Sequence, residues 1–180
     1  MSIIIERIYP KSIWGVWHYR NGVLLRPPLW TPNVCTDEGI TRLLDVMWSD
    51  GTQIAAANWH VILFNTDTIP TASTTYAVPV FTEEEGYTEA TRPVFDEAGV
   101  SSKTITNSAS KASFIINASG DGHTIYGGAL IGGAGDDVST KGDVADSTGL
   151  MYAAAKFSST YPVVQYDVLK VTVSIVGSDV

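Results

Sequence analysis

Residues 167–176 read DVLKVTVSIV and alternate with a period of two. Leu169, Val171, Val173 and Ile175 fall on one side; Lys170, Thr172 and Ser174 fall on the other. Successive side chains of a strand point to opposite faces, so this pattern predicts a strand with one face in a core. The same period recurs upstream, where Ala112, Phe114, Ile116 and Ala118 alternate with Ser113, Ile115 and Asn117. Further strands are expected at Trp59–Phe64, Tyr76–Phe81, Lys103–Thr106, Thr124–Ile131 and Leu150–Phe157, short runs punctuated by Gly, Pro, Ser and Asn.

One segment breaks this rhythm. In CTDEGITRLLDVMWSDG (35–51), Ile40, Leu43, Leu44 and Met47 recur at helical spacing. Thr36 is placed as N-cap, and Asp37 and Glu38 complement the positive end of the helix dipole. The stripe is expected to be buried against a sheet. The fold predicted is mainly β, an antiparallel β-sandwich or jelly-roll-like single domain over 1–180 with one short amphipathic helix. Within it, 1–32 form an N-terminal hairpin or arm, 33–50 the helix, and 51–180 the sandwich. No internal repeat or linker divides the chain.

Composition agrees. Of 180 residues, 44% are hydrophobic and 17% charged, the balance of a globular domain. A net charge of −8 lacks the basic footprint of a nucleic-acid binder. MSIIIERIYPK contains no apolar run of signal-peptide length, and no stretch approaches the about 20 apolar residues of a membrane span. A soluble protein made in a cytosol is the expectation.

The ribbon IWGVWHYRNGVLLR (13–26) has Asn21-Gly22 between two apolar runs, the residues of a type I′ turn. A two-residue turn would pair Arg20 with Val23, Tyr19 with Leu24, His18 with Leu25 and Trp17 with Arg26. RPPLWTPN (26–33), with three prolines, is expected to be irregular.

HTIYGGALIGGAGDDVSTKGD (123–143) raises the possibility of phosphate binding. Gly128 and Gly133 have P-loop spacing, but Ala134 stands where lysine must be. Gly133 and Gly135 begin a dinucleotide fingerprint that Val138 ends, and no helical pattern follows. The expectation is a strand whose small residues permit close packing, followed by a loop from Gly132 to Asp146. Asp136, Asp137, Asp143 and Asp146 lack EF-hand spacing, and Glu83-Glu84-Glu85 reads as a solvated acidic turn. No cofactor and no metal is implied. His18, His60 and His123 are scattered, there is no G-x-S-x-G, and Asn117-Ala118-Ser119 matches a glycosylation acceptor without a secretion signal. Cys35, the single cysteine, reads as a buried bystander; its place before a helix is the one argument for a reactive thiol.

All five tryptophans lie in the first third. Trp48 and Trp59 are expected in the core, whereas Trp14, Trp17, Tyr19 and Trp30 flank the ribbon and proline bend as candidate partner contacts.

The order of these pieces resembles small virion proteins of tailed bacteriophages. The pieces are the PN-x-x-x-x-x-G-I-x-x-L-L-D-V helix, GYTEATRP, NSASKASFIINASG and IYGGALI. The resemblance implies a non-enzymatic virion protein, foremost a head decoration (cement) protein. Such a protein would bind the major capsid protein in many copies, as a homo-oligomer on the virion. A tail, neck or fibre component, with or without a carbohydrate-binding face, is the alternative. No catalytic residue comes with it.

Overall fold

The computed structural model describes residues 9–117, 123–133, 137–142 and 149–178. It is an antiparallel β-sandwich with one α-helix. The first sheet holds β1 (Tyr9–Arg20), β2 (Val23–Arg26), β3 (Thr31–Val34), β5 (Thr104–Thr106), β6 (Ala112–Ile115) and β9 (Val168–Ser178). The second holds β4 (Trp59–Phe64), β7 (His123–Gly133) and β8 (Gly149–Val163), in the order β4-β7-β8. β1 and β9 pair from Tyr9↔Ser178 to Tyr19↔Val168, so the segment read as an arm supplies a central strand.

The alternation that predicts β9 holds: Leu169, Val171, Val173 and Ile175 are all buried. They meet Val61, Leu63, Ile125, Leu130, Ala153 and Ala155 between the sheets. The second sheet is also covered on its outer face, where Ile62, Phe64, Ala129, Ile131 and Met151 pack under Tyr76 and Phe81. Burial on both faces explains why WHVILF and YGGALI lack polar alternation. Gly127 shows why small residues are needed there, since a β-carbon would fall 2.0 Å from Phe64 Cζ. The glycines therefore lie in a packed strand.

Four expectations are corrected. Tyr76–Phe81 is not a strand: Tyr76 and Phe81 anchor a covering loop, and Pro79 between them has no N–H for a ladder. The proline bend is not wholly irregular, because Thr31–Val34 pairs with Lys11–Trp14 as an edge strand, where Pro32 is tolerated. The ribbon turns at Asn21 (φ 51°) and Gly22 (φ 76°), but its register slips between His18 and Tyr19. His18 therefore faces Arg26, and Leu25 is the extra residue of a bulge.

The fourth correction concerns the helix α1 (Asp37–Trp48), capped as expected by Thr36, whose Oγ accepts from Gly39 N at 3.0 Å. Its attachment is at the N-terminal end. A β-carbon at Gly39 would lie 2.5 Å from Tyr152 O, and Glu38 accepts from Met151 N at 2.6 Å and Tyr76 N at 3.0 Å. Ile40 packs against the core and Leu43 lines a cleft beside it. Leu44, Met47 and Trp48 are exposed, Trp48 at 78%. Only half of the apolar stripe is covered, because the helix meets β8 at one close crossing and not along its length. Trp59 is partly buried against the core, edge to face with Tyr152.

Candidate functional site

Trp14, Trp17, Tyr19 and Trp30 divide between the two faces of the first sheet. β1 sends Ser12, Trp14, Val16 and His18 inward, and Trp14 is 0% exposed, with its indole N–H on Ser12 Oγ at 3.0 Å. Trp14 is thus a core residue, not a contact residue. Further along β1, Trp17 and Tyr19 face outward and are partly buried. Trp30 is 52% exposed and meets Trp17 edge to face, centroids 5.6 Å apart at 88°. Lys111 Nζ lies 4.8 Å from the Trp17 ring and Lys170 Nζ 5.6 Å from that of Tyr19, within cation–π range.

Beside this aromatic pair the ribbon is unusually apolar. Val23, Leu24, Leu25 and Leu29 are all more than two-fifths exposed. Strands that leave such side chains in water carry a surface suited to contact.

At the inner edge of the same ribbon, sequence reasoning missed a polar cluster. Asp167 has a fully buried side chain and receives Arg20 in a fork, Nε to Oδ1 and Nη2 to Oδ2, both 2.8 Å. His18 Nε2 lies 2.8 Å from Oδ2, and Val164 N donates to it at 3.0 Å. Burial pushes the Asp167 carboxyl up, but the bonds from Arg20, Val164 and His18 outweigh it and hold it at about 2. The bulge sets Arg26 opposite His18; its guanidinium stacks on Tyr161, 4.4 Å to the centroid, and binds Ser159 Oγ at 2.9 Å and Thr160 O. His18 and Asp167 are thus a histidine–carboxylate pair, but the Ser159 hydroxyl is held by Arg26 and not by the imidazole. No signal in sequence announces this cluster, because 149 residues separate His18 from Asp167.

The acidic turn is also corrected. Glu83 and Glu84 are buried, drawn onto the second sheet by the bridge Phe64↔Glu83. Arg92, also buried, donates Nε to Glu83 Oε1 at 2.9 Å and Nη2 to Oε2 at 2.6 Å, and its Nη1 reaches Tyr76 OH and Val138 O. Burial would lower the guanidinium pKa, but Glu83 outweighs it and the group is held above its ordinary value. Glu84 accepts from Asn65, Gly86 N and His123. This arrangement is a satisfied structural ion pair. His60 donates Nδ1–H to Arg92 O at 3.0 Å, and burial lowers its pKa. The three histidines therefore serve three separate partners.

Cys35 is 1% exposed and burial raises its thiol to about 12, so the helix N-terminus does not activate it. Among the described residues, no three His, Cys, Asp or Glu converge as a metal-ligand set. Ala134–Asp136 and Asp143–Asp146, with most of the acidic loop, lie outside the described residues, as do Ala118 and Ser119 of the glycosylation motif. No described helix is long and apolar enough to cross a membrane. No protein-family model and no curated protein matches the chain.

Proposed function

We propose that this chain is a structural protein of a tailed-phage virion, decorating the assembled capsid and stabilising it without catalysis. The observation that carries the reading is the exposed apolar stretch from Val23 to Trp30 on a two-sheet scaffold. An aromatic anchor surrounded by aliphatic side chains is the usual centre of a protein interface. Trp17 and Trp30 supply the anchor, and Val23, Leu24, Leu25 and Leu29 the surround. The partner proposed is the major capsid protein, with copies of this chain repeated over the lattice. A ligand that binds only the assembled state raises its stability by mass action, and repeated weak contacts add through effective concentration.

The test compares heat-induced genome release from particles with and without the protein and counts its copies. Decorated particles should release at higher temperature and carry hundreds of copies, on the order of one per lattice position. Equal release temperatures with only a few tens of copies would place the protein in the tail, neck or fibre instead.

A further inference from the structure

The bulged ribbon and the C-terminal end of β8 border an open cleft of about 590 Å3. Arg20 and Arg26 give it a basic side, and Leu25, Pro162, Val163 and Val164 an apolar one. Among the described residues no carboxylate lines it, in a chain with 19 acidic residues against 11 lysines and arginines. The buried Asp167 supplies the counter-charge to Arg20. Two guanidinium groups against one carboxylate leave one guanidinium charge in surplus at the cleft.

Both arginines are held in place. Arg20 is fixed by its fork on Asp167, and Arg26 by Ser159, Thr160 and the ring of Tyr161. Each donates two hydrogen bonds through these contacts, and a guanidinium has further N–H groups beyond that. A site with fixed donors loses little rotamer freedom on binding.

The geometry points to a binding site here for a monoanionic carboxylate on a short carbon stem. The N–H groups that Arg20 and Arg26 keep beyond these contacts can donate to the two oxygens of a carboxylate. One net charge balances a monoanion and leaves a phosphate dianion undercompensated. Leu25, Pro162, Val163 and Val164 offer an apolar wall to the stem. The cleft shares Leu25 with the proposed capsid contact, but anion binding needs no shell and the two readings fail separately.

The experiment is an NMR titration of the full chain with butyrate, acetate and inorganic phosphate. Butyrate should shift the amides of Val163 and Val164 saturably, with affinity in the millimolar range and several-fold above that of acetate or phosphate. Arg26→Gln should weaken butyrate about tenfold or more while leaving the β4, β7 and β9 resonances in place. Leu25→Ala should weaken butyrate more than acetate, because it removes stem contact only. Absence of localised shifts, equal affinity in Arg26→Gln, or phosphate binding tighter than butyrate would each overturn the assignment.

Discussion

Trp30 lies directly over Gly15, where a β-carbon would come within 2.6 Å of the indole Cζ3. The missing side chain lets the ring settle on the outer face of β1, edge-on to Trp17, while Trp14 one residue earlier points into the core. Gly15→Ala should therefore lift Trp30 and leave the strand in place, because the ring is already half in water. The expected outcome is a red-shifted tryptophan emission with a stability loss of no more than about 1 kcal/mol. An unchanged spectrum would contradict the contact.

Trp30→Ala tests the surface itself. Truncating a half-exposed anchor should alter stability by about 1 kcal/mol or less and, under the proposed capsid role, weaken attachment to particles by at least about tenfold. Undiminished attachment, measured by co-sedimentation with particles, would remove Trp30 from the interface.

The two ends of the helix should respond in opposite ways. Leu44→Ala changes an exposed residue and should shift stability by about 0.5 kcal/mol or less. Gly39→Ala forces a methyl against the Tyr152 backbone and should cost several-fold more, on the order of 3 kcal/mol. Urea denaturation of both variants decides it; a larger loss for Leu44→Ala would mean that the stripe is covered after all.

Arg92→Ala should be among the most damaging changes, about 3–5 kcal/mol, because it leaves the Glu83 carboxylate buried without its counter-charge. Replacing both partners by apolar residues should recover much of this. A double-mutant cycle with no coupling would show that Glu83 is solvated.

Asp167 links stability to acid pH. Its carboxyl is held at about 2 against an ordinary 3.8, so its contribution is complete above the higher value. That contribution, about 2 kcal/mol, is lost as pH falls through the lower one. Asp167→Asn should lose this amount at neutral pH and converge with the parent below about pH 2. Parallel stability curves down to that pH would exclude the linkage.

Cys35 should resist a thiol reagent in the native state and react only on unfolding, since its pKa is pushed up to about 12 and its surface is covered. Fast labelling of folded protein would reinstate the reactive-thiol reading.

Local pattern was enough for the sandwich class, for β4 and β9, for the cap at Thr36 and for the turn at Asn21-Gly22. Each of these depends on side-chain period or on backbone preference within a few residues, which a sequence carries directly. Tertiary structure alone decided which face of β1 receives water, how far the helix stripe is covered and where the acids go. Glu83 is buried only because Arg92 reaches it, and Arg26 enters the cleft only because a bulge shifts the ribbon by one residue. His18, Arg20 and Asp167 meet because β1 pairs with β9 across nearly the whole chain. Composition fixes how many charges and apolar groups must be placed. Long-range pairing fixes which of them share a site, and no local period encodes that.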